Sequence, residues 1–348
     1  MRCVMRGMCV LLAAIVVLPA VAIGKPCELK QVAAIEVGFD SGGGILVPVH
    51  VEGHPGFLKL QLSAGLPWLY PASIEELGLA AKTRGVGFDG SIGSHKVERQ
   101  VKVRSTVLGG ANFAGWDYSV LPDTQAVRPQ YRGYPVFGTM SSSFMNVVDM
   151  ELNLAERRIN LFQPNRCHTA PVYWDSEVTA VKLYTDRTGL LLFPMELEGA
   201  FIETSLNTTT RTSLITAEIV KRYLGFDEDS PGVEHESVPG GTEIASFRAM
   251  SLSAKGLQVR NTRVRIRKFE GCVPSASGKD TGAIGCRDLL GFTPFSIGTD
   301  LMRRLRIYAS VVDGKIYFTR VDSAAGPAPA VPPVAGPADA SVGPDAVK

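Results

Sequence analysis

Excess charge of one sign, metal-binding clusters and late hydrophobic runs are what this sequence lacks. Its 36 Lys and Arg nearly balance 34 Asp and Glu, leaving a formal net charge of +2. No broad electrostatic footprint for nucleic acid or an anionic membrane follows from that balance. The five histidines are scattered. None joins Cys, Asp or Glu at metal-ligand spacing, so neither a metal nor another cofactor is expected. Beyond the N-terminus no stretch is long and apolar enough to span a bilayer, and a mature chain without a membrane span is expected.

What is present begins with an export signal. Arg2 and Arg6 precede the apolar run MCVLLAAIVVLPAVA, which ends in Ala20-Val21-Ala22. This pattern predicts a signal peptide over residues 1–22 and a periplasmic or secreted destination. Cys3 and Cys9 leave with it, so Cys27, Cys167, Cys272 and Cys286 remain. Four cysteines in an oxidising compartment favour disulfides, with three pairings open. At the other end, residues 322–348 are rich in Pro, Ala and Gly with almost no large apolar side chain. Such a tail buries too little surface to offset its ordering entropy and is expected to be disordered.

Between these ends the chain repeats itself. ILVPVHVEGHPGFLKLQLSAGLPWLYPASIEELGL is matched by LLLFPMELEGAFIETSLNTTTRTSLITAEIVKRYLGF. Each copy has a strand ending in Glu-Gly (Glu52-Gly53, Glu198-Gly199), a tight turn, and a second strand starting at Phe57 or Phe201. Six positions after each Phe comes a short polar elbow, Ser63-Ala64-Gly65 or Asn207-Thr208-Thr209, followed by a brief apolar strand and a short helix. Pro71 suits a first helical turn, Thr216 an N-cap, and Gly78 and Gly225 the helix ends. The copies close alike, on Gly138-Thr139 and Gly298-Thr299.

Strand, elbow, strand, helix and closing glycine in this order resemble the retropepsin-like aspartic proteases. Two copies in one chain resemble the bilobal pepsin-like arrangement, over about residues 45–162 and 190–320. The resemblance implies an all-β fold with an N-terminal lobe over 23–168, a C-terminal lobe over 169–321, and a cleft between them. It places a flap hairpin near Phe88, Asp89 and Gly90, with PGGTE at 239–243 as the matching turn. It also implies a pairing of Cys27 with Cys167, where the closing strand RRINLF brings the chain back, and of Cys272 with Cys286.

The chemistry of that family needs one aspartate from each elbow, two carboxylates sharing a proton. Counted from Phe57 and Phe201, the two positions hold Ser63 and Asn207, and neither titrates near neutral pH. Thr209 stands where the second elbow would have glycine. Two aspartates elsewhere sit in tempting contexts. Asp280 in GKDTGAIGC follows polar loop material, with only 16 residues between Gly282 and Gly298 against 73 between Gly65 and Gly138. Asp40, in VGFDSGGGILVPV, precedes the first strand of the repeat and runs into three glycines, which reads as a linker. Ser63 as a nucleophile would need a base and an oxyanion hole, and His50 and His54 lie one strand back and at the turn.

Arg263, Arg265 and Arg267 alternate on one strand face, which predicts a solvated edge or, less simply, an anionic partner. Trp68, Trp116 and Trp174 are candidates to line a cleft, although isolated tryptophans are more often core; Trp68, three residues beyond Gly65, is the foremost of them. The function expected is therefore a catalytically inactive aspartic-protease-like monomer that holds a peptide or protein segment in its cleft. The alternatives are an endopeptidase using Asp40 or Asp280, and an assembly component of an envelope complex.

Overall fold

The computed structural model describes residues 29–83, 91–92, 95–125, 127–164, 172–174, 178–186, 189–237, 243–268, 273–274, 286–287 and 293–321. For 91–92, 95–96, 125, 273–274 and 286–287 this covers the backbone alone. Residues 1–22, for which a signal peptide is expected, residues 322–348, and Phe88, Asp89, Gly90, Cys27, Cys167, Cys272, Asp280 and the Cys286 side chain lie outside what is described. The chain is mostly strand with a few short helices. Among the described residues no helix is long and apolar enough to cross a membrane.

Two hairpins set the pattern. β1 (Ile45–Val51) pairs with β2 (His54–Gln61) across Glu52-Gly53. Both turn residues are left-handed, at φ 48° and 84°, as a two-residue hairpin turn requires. A glutamate at positive φ is unfavourable by itself. Its carboxylate compensates by accepting the backbone N–H groups of Arg104 and Ser105. β2 then leads through the first elbow to β3 (Trp68–Leu69), which runs parallel to β4 (Ala111–Val120) and antiparallel to β5 (Tyr134–Ser141). β5 closes the unit by pairing parallel with β2.

The same construction recurs. β6 (Leu191–Leu197) and β7 (Ala200–Leu206) form a hairpin over Glu198-Gly199, at φ 48° and 82°. The Glu198 carboxylate accepts the N–H groups of Met250 and Ser251. β8 (Ser213–Thr216) runs parallel to β9 (Thr262–Arg267) and antiparallel to β10 (Phe295–Ile297), and β10 pairs parallel with β7. A six-stranded sheet joins the two copies, because Asp149–Asn153 pairs antiparallel with Leu305–Ser310. One apolar core runs through both copies, from Val47, Leu58 and Leu60 to Phe193, Ile202 and Phe295.

Several local expectations are met and others corrected. Pro71 opens the helix Pro71–Glu76, and Gly78 (φ 61°) and Gly225 (φ 78°) end their helices. Thr216 stands at the N-cap of its helix, yet its hydroxyl makes no capping bond. The arginine face of β9 is not an edge: β9 lies between β8 and the strand Glu243–Ala249. Arg263 is paired with Glu234 and Glu236 at 3.5 Å, and Arg265 with Glu236 at 3.7 Å. Ser91 pairs with Lys96 and Ile92 with His95, just beyond Gly90, and Ser237 pairs with Glu243.

Beneath the second elbow, burial raises the Asp300 carboxyl above its ordinary range, although Leu301 N–H and the Arg304 and Arg211 charges oppose this. A carboxyl with a raised folded pKa stabilises the fold below its unfolded value and loses that contribution as pH rises through the folded one. Asp300→Asn is therefore expected to remove part of the loss of stability between acidic and neutral pH. Urea midpoints measured for both proteins across that window check this. A variant less stable than the parent at neutral pH, and equal to it in acid, would contradict it.

Candidate functional site

Ladder register, which counts outward from the turns, decides which elbow residues correspond. Val51 pairs with His54 and Lys59 with Leu46; Leu197 pairs with Ala200 and Thr204 with Phe193. Val51 and His54 thus correspond to Leu197 and Ala200, each 146 positions on. Carried forward, Gln61 corresponds to Asn207, Leu62 to Thr208 and Ser63 to Thr209. The sequence pairing of Ser63 with Asn207 is two residues out, because Phe57 and Phe201 are not equivalent: Phe57 lies opposite Pro48, and Phe201 opposite Glu196. The closing segments shift likewise. Ser142 N–H donates to Ala64 O and Thr299 N–H to Thr210 O, both at 3.0 Å, so Ser142 rather than Thr139 is the counterpart of Thr299.

The elbows meet through one hydroxyl. Thr208 Oγ1 accepts the N–H of Leu62 at 3.0 Å and donates to the carbonyl of Leu60 at 2.7 Å. It is fully buried. Its counterpart Leu62 has no hydroxyl to return the pair, so the link is one-sided. Gln61 and Asn207 therefore flank the junction, one from each copy.

Both residues carry carboxamides whose orientation is forced by chemistry. Asn207 Oδ1 accepts the backbone N–H of Thr209 at 3.2 Å and the Thr209 hydroxyl at 2.8 Å. Gln61 Oε1 accepts the indole N–H of Trp68 at 3.2 Å. Backbone and indole N–H groups can only donate, so these atoms must be the amide oxygens, and each NH2 group is left as a donor. Trp68 is itself held edge-on to Tyr70 with ring centres 5.0 Å apart. Neither amide can take up a proton as a general base near neutral pH.

Ser63 and Asn207 do line one recess, with Arg267, Thr216 and the second-copy strands around them. Ala64 O accepts the N–H and the hydroxyl of Ser142, and Gly65 O accepts the Ser141 hydroxyl at 3.1 Å. His50 and His54 are exposed on the first hairpin. Trp116 packs on Phe144, and Trp174 lies under Arg306, so of the three tryptophans only Trp68 reaches the elbow junction.

Asp40 has a structural task. Its Oδ1 accepts Gly44 N–H at 2.7 Å and its Oδ2 is paired with Lys59 Nζ at 2.6 Å. Asp186 repeats this turn: Leu190 N–H donates to its Oδ1 at 2.8 Å, and Gly189 matches Gly43 in positive φ. The first turn packs on the second elbow, where Arg211 N–H donates to Gly42 O and the Thr299 hydroxyl to Gly43 O at 2.8 Å. The second turn packs on the first elbow, where the single Ser142 hydroxyl proton is shared between Ala64 O and Gly189 O. DSGG and DRTG, each just before an apolar strand, were the legible signal of this reciprocal arrangement.

No known protein family matches the chain, and no curated protein is similar to it. Among solved structures, a crystal structure of basic 7S globulin from soybean is similar over 84% of this chain and 95% of its own, at 8% identity and a TM-score of 0.46.

Proposed function

We propose that this chain is an exported, non-hydrolytic binder of extended peptide or protein segments, built as two retropepsin-like lobes about a cleft. The observation carrying this reading is the elbow junction, where Thr208 ties the two copies together and Gln61 and Asn207 occupy the paired positions. Hydrolysis by two carboxylates sharing a proton has no counterpart there. Strand addition remains possible, since it relies on main-chain hydrogen bonds rather than on an acid pair. Asp40 is engaged by Lys59 and Gly44, which argues against its use as a displaced catalytic acid.

Photo-crosslinking tests this reading. Benzophenone-bearing extended peptides incubated with the mature protein should label the segments around Ser63–Trp68 and Asn207–Thr216, and should be recovered uncut. Labelling confined to surfaces away from both elbows would contradict it.

A further inference from the structure

Three aromatic rings gather at the surface of the first copy. Tyr131 and Tyr134 pair across the turn Arg132-Gly133, whose residues are left-handed at φ 53° and 81°. Phe57, on β2, meets both rings, with centres 5.1 Å from Tyr131 and 6.5 Å from Tyr134. Pro48, opposite Phe57 on β1, is exposed, and Tyr134 is 50% exposed. Aromatic groups clustered at a surface mark interaction sites, whereas scattered ones do not.

Two arginines bound this platform. Arg132 lies 5.3 Å over the Tyr131 ring and Arg303 4.1 Å over the Phe39 ring, and neither is paired with an acid among the described residues. Phe39 adjoins Gly38, and Tyr131 sits so close on Gly38 that a Cβ there would fall 2.7 Å from the ring. The last described residue, Val321, leaves at the same border: its N–H donates to Arg304 O at 3.0 Å.

Beyond Val321 the sequence runs through GPAPAVPPVAGP (326–337), with Asp322 before it, Asp339 after it and no Lys or Arg between them. Such a run builds no core of its own. It favours polyproline II, which has little conformational freedom to lose on docking against aromatic rings. At about 3.1 Å per residue, residues 327–333 fall roughly 20–40 Å along the chain from Val321. Three successive contacts, Val321 to Arg304, Arg303 to Phe39 and Gly38 to Tyr131, lead from the exit to the rings, a path within that reach.

We propose that residues 327–333 dock on the Phe57, Tyr131 and Tyr134 platform of the same chain as a polyproline helix, with Asp322 set against Arg303 and Asp339 against Arg132. Tethering supplies a local concentration of the order of millimolar, so weak stacking of prolines on the rings is enough to hold the segment. The docking does not depend on the cleft.

A benzophenone amino acid placed at Val331 of the mature protein tests this, by irradiation at low protein concentration and mass spectrometry of the digest. Adducts are expected within one chain, on peptides bearing Phe57, Tyr131 or Tyr134, and several-fold above those from the same group placed at Ala346. Tyr134→Ser should cut that yield several-fold and leave the thermal midpoint unchanged, because half of Tyr134 is already in solvent. Pro329→Gly combined with Pro332→Gly should cut it similarly by loosening the helix. If Tyr134→Ser folds poorly, the proline variant carries the comparison. Adducts elsewhere on the surface, equal yields from Val331 and Ala346, yields unmoved by these variants, or adducts joining two copies overturn the docking.

Discussion

Thr208→Val will lower the stability of the folded chain by roughly 2–4 kcal/mol, although the two side chains have nearly the same shape. The hydroxyl accepts from Leu62 N–H and donates to Leu60 O, and both bonds are buried. Valine leaves that donor and that acceptor without partners, at a cost of about 1–3 kcal/mol each before relaxation. No second hydroxyl can substitute, because Leu62 stands at the corresponding position of the other copy. Thr208→Ser keeps the hydroxyl and should recover most of the loss. Urea unfolding of the three proteins decides the matter. Equal midpoints for Thr208→Val and the parent would mean that the elbows do not depend on this residue.

Gly138→Ala will be at least as damaging, with an expected loss above about 3 kcal/mol or failure to accumulate as folded protein. A methyl group on Gly138 would lie on the carbonyl oxygen of Trp68 and the Cα of Leu69. At Gly298 it would meet the backbone of Arg211 and Thr212. In both places the obstacle is the neighbouring main chain, which cannot rotate away as a side chain can. Gly53→Ala is the instructive comparison: its φ of 84° disfavours alanine, but nothing lies within 4 Å of the added carbon. That variant should fold with a loss of about 1 kcal/mol. Soluble yield and thermal midpoints rank the three. Gly138→Ala and Gly53→Ala with equal midpoints would contradict the close-approach argument.

The parts of the fold that could be read from the sequence are those governed by short-range rules. Glu-Gly turns announce their hairpins because a two-residue turn needs positive φ. Gly78 and Gly225 mark helix ends for the same backbone reason. Register across the sheet is what the local pattern does not carry. Matching Phe57 to Phe201 attaches weight to a side-chain likeness, whereas pairing across the sheet is counted from the turn and selects Gln61. The Arg263–Arg267 face looked like an edge because alternating charge commonly marks one. Its counter-charges, Glu234 and Glu236, come from a strand beyond the intervening Glu243–Ala249. The bond from Thr208 to Leu60 spans 148 positions, and no local pattern could have announced it. Asp40 reads as part of a linker in the sequence, whereas in the fold it makes the same turn as Asp186.

The most direct test is to incubate the mature protein with a defined peptide pool from about pH 3 to about pH 8 and read every product by mass spectrometry. With amide groups at both positions where the elbows abut, each peptide should emerge at its original mass at every pH. Cut peptides whose appearance stops in Asp40→Asn or Asp280→Asn would show that a working acid lies elsewhere in the chain and would contradict the account.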